Sequence, residues 1–182
     1  MRLLRVSSIL IVLWSVSVYL SASPTVTLSF DSSASFTDLV NQPIPRRSQA
    51  SFGGGIISVG IPVTKRLELS LGFTLVYTTR SIIYEHTFLR PSIEYGPSIG
   101  LSVQLPKHLF LAADFAYLFY AMRNYEYQER RYRFTLKPSY QIITFGSWGS
   151  LLLSLPSSVE WSHSMSTLST GLGIAFKAGG IQ

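Results

Sequence analysis

Hydrophobic residues occupy every second position over long stretches of this chain, a period that puts them on one face of a β-strand and that does not suit a helix. Leu67, Leu69, Leu71, Phe73, Leu75 and Tyr77 are bulky and apolar, whereas Glu68, Ser70, Gly72, Thr74, Val76 and Thr78 between them are mostly small or polar. The same alternation runs through 89–105 and again through 131–142. Weaker versions cover 25–32, 51–63, 109–121, 150–161 and 166–177, which brings the expected number of strands to about eight. An even number suits a closed barrel.

Connection lengths add direction to this pattern. Thr64 to Arg66, Pro106 to His108 and Thr144 to Gly149 are short. The links over 33–50, 79–87 and 122–130, and the one before the last strand, read as mostly longer and more polar. Short turns at one end and long loops at the other describe an all-β, eight-stranded antiparallel up-and-down transmembrane β-barrel. Pro91, Pro97, Pro138 and Pro156 interrupt strands that have no free edge, so each is expected at a bulge or where a strand projects beyond the membrane. Gly53, Gly54 and Gly55 read as a place where the second strand bends.

The only helix-like apolar run is 9–20, preceded by Arg2 and Arg5 and followed by Ser21, Ala22 and Ser23. This is the order of a secretory signal, and it is shorter than the roughly 20 residues of a membrane-spanning helix. Residues 1–22 are therefore read as a signal peptide and 23–182 as the barrel, with a retained anchor as the alternative. Of 182 residues 47% are hydrophobic and 13% charged, which excludes a disordered chain. The absence of cysteine excludes disulfides, cysteine zinc sites, thiol nucleophiles and a lipidated cysteine. The formal charge of +6 falls to +4 once Arg2 and Arg5 leave with the leader.

Which face lines the barrel follows from charge. Glu94, Asp114, Arg133, Lys137 and Glu160 all fall in mid-strand on the small, polar face. An Arg or Lys facing lipid at mid-depth costs about 2–4 kcal/mol, so these side chains belong in the lumen. A soluble lipocalin-like carrier would reverse the faces. Tyr77, Tyr95, Phe119, Tyr132 and Trp161 come near the long-loop ends of the apolar face, and Phe145, Trp148 and Phe176 near the other ends. Two girdles at two interfaces are what amphipathic rings favour; core aromatics of a soluble sandwich are the alternative. Hairpin register pairs Asp114 with Lys137 and Arg133 with Glu160, and sets Glu94 and Arg131 on either side of Tyr120. A small barrel is filled by its own side chains, so these charges are expected to form a salt-bridged plug.

On these residues the chain resembles the small outer-membrane barrels of the OmpX, OmpW and OmpA transmembrane-domain type over its whole mature length. Ser169, Gly171, Ile174 and Phe176 in the last strand look like the assembly signal such proteins present to the outer-membrane insertion machinery. The resemblance implies residence in the cell outer membrane after export, contact with outer-membrane lipid and with that machinery, and a structural, adhesive or surface-binding role in which the loops meet a host or surface ligand. Passage of small hydrophobic compounds, as in the OmpW type, is the runner-up, and modification of lipid A is a third reading.

Little in the chain carries chemistry. His163 lies among Ser162, Ser164 and Ser166 beside Glu160, but the His-x-Ser pattern of lipid A deacylases reads His163, Ser164, Met165 here. His86 and His108 have no carboxylate spaced for a dyad or a metal site, and no cofactor is implied. The glycines at 53–55 are not a phosphate loop, since no helix or suitably placed lysine follows. Arg46 and Arg47, and Arg123, Arg130, Arg131 and Arg133 among Tyr125, Tyr127 and Tyr132, mix cations with aromatics. In an exported barrel they read as loop contacts to anionic lipopolysaccharide or a host surface, or as plug residues, and not as a nucleic-acid site. The chain is therefore expected not to be an enzyme.

Overall fold

The computed structural model describes residues 23–39, 47–81, 92–120, 130–162 and 165–179. Its strands are β1 (Thr25–Leu39), β2 (Arg47–Pro62), β3 (Leu67–Ser81), β4 (Ser92–Leu105), β5 (Leu109–Tyr120), β6 (Arg131–Thr144), β7 (Gly149–Ser154), β8 (Ser157–Trp161) and β9 (Met165–Gly179). From β1 to β7 each pairs antiparallel with the next, β7 and β8 both pair with β9, and β1 pairs with β9 from Thr25↔Gly179 to Leu39↔Met165, which closes the sheet. β7 and β8 lie end to end between β6 and β9 and act as a single wall element. The result is a closed eight-stranded all-antiparallel β-barrel.

Prolines explain the break between β7 and β8. Leu155 N–H donates to Pro138 O at 2.9 Å, and Gly171 N–H donates to Pro156 O at 3.0 Å. The return bond is missing in each case because proline has no N–H. The register nevertheless continues, with Ser139↔Ser154 and Leu136↔Ser157 on one side and Ser154↔Gly173 and Ser157↔Thr170 on the other. Pro138 and Pro156 thus sit neither at a bulge nor on a projecting strand, which corrects the expectation from sequence. Pro97 likewise stays in register opposite Phe73. One bulge lies instead in β2, where the register to β3 shifts between Ser51 and Gly54 and Gly53 takes a φ of 76°. Pro91 and the expected leader 1–22 lie outside the described residues.

Alternation sorts the side chains. Phe30, Ile57, Leu71, Ile99, Phe134 and Leu172 lie on the outward surface, each more than 40% exposed. Thr25, Ser29, Thr74, Glu94, Arg133, Lys137 and Ser169 are buried inside. This is the inverse of a water-soluble carrier barrel. The turns between β2 and β3, β4 and β5, and β6 and β7 share one end with Thr25 and Gly179. At the opposite end β1 and β2 run on to Leu39 and from Arg47, so their connection is shorter than read from sequence. The β8–β9 connection, 162–164, is also short, against the expectation of a long loop.

Candidate functional site: the lumen

β6 supplies most of the lumen's positive charge, because Arg131, Arg133 and Lys137 share its inward parity. Arg131 Nη1 meets Glu94 Oε1 of β4 at 2.8 Å, reaching across β5, and lies 4.0 Å from Glu160 Oε2 of β8. Arg133 stands opposite Glu160 in the ladder. Its Nε is 3.4 Å from Glu160 Oε1, and its Nη2 donates to Ser158 Oγ at 2.9 Å. Ser158 Oγ and Ser169 Oγ share a hydrogen bond at 2.6 Å. Glu94 is only 1% exposed. Val76, Ala116 and Leu118 form an apolar cluster, although the sequence reads their face as small or polar.

Lys137 differs from the expected pairing. Its Nζ lies 3.0 Å from Asp31 Oδ2 of β1 and donates to Ser29 Oγ at 3.2 Å. The β5–β6 register sets Asp114 opposite Thr135 and Lys137 opposite Ala112, so Asp114 and Lys137 are not cross-strand partners. The physical reason is the connection between β5 and β6, which closes with a register two residues off the one assumed. Asp31 was missed because the alternation of the first strand is weak, although its parity matches that of Thr25 and Ser29. Asp31, Asp114, Thr74, Arg133 and Thr135 line an internal cavity of about 10 Å³, room for about one water.

Toward the turns the lumen widens into a vestibule of about 250 Å³, lined among others by Thr25, Glu68, Gln104, Gln141 and Lys177. Lys177 Nζ is 2.8 Å from Glu68 Oε2 and 5.7 Å from the Phe110 ring centroid. This pair spans the barrel between β9 and β3, a separation along the chain that hairpin arithmetic does not reach.

Tyr77, Tyr95, Phe119, Tyr132 and Trp161 all lie on the outward face, each 38–40% exposed. Tyr95 and Phe119 are 6.4 Å apart, Tyr132 and Trp161 6.0 Å, and Tyr117 bridges Phe119 at 4.7 Å and Tyr132 at 5.3 Å. At the turn end Phe145, Trp148 and Phe176 pack at 5.1–6.1 Å. In β9, Ser169 faces the lumen and Ile174 is 52% exposed outside. A Cβ at Gly171 would run into the Ser32 carbonyl oxygen of β1, so the glycine permits that close approach. His108 lies in the β4–β5 turn; His86, His163, Arg46 and Arg123 lie outside the described residues. Arg47 starts β2, and Arg130 immediately precedes β6.

No family model matches the chain. No curated protein matches it either. Among solved structures it is similar to Ail, the attachment invasion locus protein of Yersinia pestis, at 8% identity and a TM-score of 0.49, over 84% of this chain and 97% of that one. A second Ail structure, in complex with the heparin analogue sucrose octasulfate, gives 9% identity and a TM-score of 0.40 over 85% and 98%. The N-terminal β-barrel domain of Pseudomonas aeruginosa OprF gives 11% identity and a TM-score of 0.38 over 83% and 96%.

Proposed function

We propose that this chain is exported by its leader to a bacterial outer membrane and acts there as a non-catalytic structural, adhesive or surface-binding protein through the loops opposite its turns. One observation carries the reading: the outward face is apolar along the strands, while the charges of the loop-side lumen are turned on one another. An apolar exterior of this kind is favourable in hydrocarbon, where a closed barrel leaves no backbone edge unpaired. Pairing within the lumen consumes the groups that a solute path would use, so activity falls to the surface beyond the strands. The assembly machinery is the partner that Ser169, Gly171, Ile174 and Phe176 would engage before the barrel closes.

The test is fractionation followed by gel mobility with and without boiling. A compact, heat-sensitive band in outer membranes is expected, together with no resolved single-channel conductance in planar bilayers. A soluble periplasmic protein would overturn the membrane reading, and steady conductance would replace the plug with passage of solutes. Altered lipid A mass spectra on overexpression would restore the enzyme reading, which His163→Ala would then localise.

A further inference from the structure

The turn end of the barrel carries a charged cleft that adjoins the vestibule and shares Lys65, Arg66 and Gln104 with it. The turns joining β2 to β3 and β4 to β5 lie side by side, because Gln104 N–H donates to Arg66 O at 2.7 Å. Between them is a cleft of about 370 Å³ whose lining includes Lys65, Arg66, Gln104, Leu105, Lys107 and His108. Lys65, Arg66 and Lys107 are exposed and have no ion-pair partner among the described residues. The nearest acid in sequence, Glu68, is held by Lys177. The cleft is therefore lined by three cations and by no acidic residue, an arrangement that attracts anions.

Both turns are held firmly. Thr64 Oγ1 accepts from Arg66 N–H at 3.2 Å and from Leu67 N–H at 3.0 Å, fixing the first turn from within. In the second, Lys107 and His108 have φ of 61° and 62°, a left-handed conformation that Asn-Gly adopts readily and bulkier residues rarely do. His108 O accepts from Gln141 N–H of β6 at 3.0 Å. A chain selected only to turn here would do so at less strain with Asn-Gly. The strained pair is what puts a cation and an imidazole into the cleft, and such outliers point toward function.

Position selects the partner. Leu105, which lines the cleft, pairs with Leu109, and the two are 41% and 42% exposed on the apolar outer face. A ligand seated among the cations can thus continue along hydrocarbon-compatible wall. We propose that this cleft binds the phosphate headgroup of an anionic phospholipid in the leaflet at the turn side of the barrel, with its acyl chains against Leu105 and Leu109. This rests on the reading of the chain as a membrane barrel.

The experiment uses the full chain folded into phosphatidylcholine nanodiscs containing phosphatidylglycerol, with lipids retained on the protein counted by native mass spectrometry. The heat-sensitive gel band is checked first; a protein that never gives it fails as a membrane barrel, which overturns the lipid site along with that reading. With the band present, phosphatidylglycerol is expected to be enriched about tenfold over phosphatidylcholine, in keeping with the attraction of clustered Lys and Arg for anionic headgroups. Lys65→Gln, Arg66→Gln and Lys107→Gln combined should bring the ratio to parity. Lys107→Asn with His108→Gly should raise the unfolding midpoint while lowering the enrichment, an opposition that a purely structural turn would not produce. A folded wild type without enrichment, or a triple variant that keeps it, would overturn the proposal. So would displacement of the lipid by inorganic phosphate at equal concentration, which would make the cleft a site for soluble anions.

Discussion

On the loop side of the lumen Arg131 and Arg133 are shared between Glu94 and Glu160, with side chains only 1–12% exposed. On the turn side Lys177 and Glu68 meet at 2.8 Å beside a vestibule of about 250 Å³. Both are ion pairs inside one barrel, but only the second, with side chains 18% and 12% exposed, lines the vestibule. Removing one partner from the first leaves a charge with no solvent to take its place; removing one from the second leaves a group that can be hydrated. The contrast teaches that the contribution of an ion pair here is set by its depth in the lumen more than by its distance.

Three experiments test that contrast. The largest effect is expected for Arg131→Ala, which takes the 2.8 Å partner from the buried Glu94 carboxylate and leaves Glu160 to Arg133, and which should cost about 3–5 kcal/mol in equilibrium urea unfolding followed by tryptophan fluorescence. Next, double-mutant cycles in the same assay should give Lys137 a coupling of about 1–3 kcal/mol with Asp31 and a smaller one with Asp114; equal couplings would mean that the 3.0 Å contact does not set the partner. Smallest is Lys177→Met at the vestibule, for which a loss of about 1 kcal/mol or less is expected. A loss from Lys177→Met as large as that from Arg131→Ala would erase the distinction between the halves.

How much of this could be read beforehand depends on the reach of each sequence signal. Strand positions were legible in β3, β4 and β6, where alternation is uninterrupted, because parity alone decides which face a side chain takes. Strand ends were less so: β1 and β2 extend to Leu39 and from Arg47 in segments without clear alternation. Register could be reckoned across the turn between β6 and β7, whose shortness leaves few ways to close it, and Arg133 faces Glu160 there. The connection from β5 to β6 has no such constraint, so Asp114 and Lys137 came out two residues from their actual neighbours. The Lys137–Asp31 and Lys177–Glu68 pairs bring together strands remote in sequence, and only barrel closure defines them. The charged cleft between the turns has the same origin, because Arg66 and Lys107 become neighbours only once two hairpins stand side by side.

The pairing of β1 with β9 also governs how the molecule can come into being. The two strands joined from Thr25↔Gly179 to Leu39↔Met165 are the first and last of the described chain, so the ladder that completes the wall joins its most widely separated parts. Local hairpins can form early, but this final ladder waits on the slowest kind of contact a chain makes. Until then the intermediate is an open sheet with two bare rims, each able to template pairing with any extended segment nearby. Biogenesis is consequently a race between intramolecular closure and capture by another chain, and a factor that shielded either rim would decide the winner.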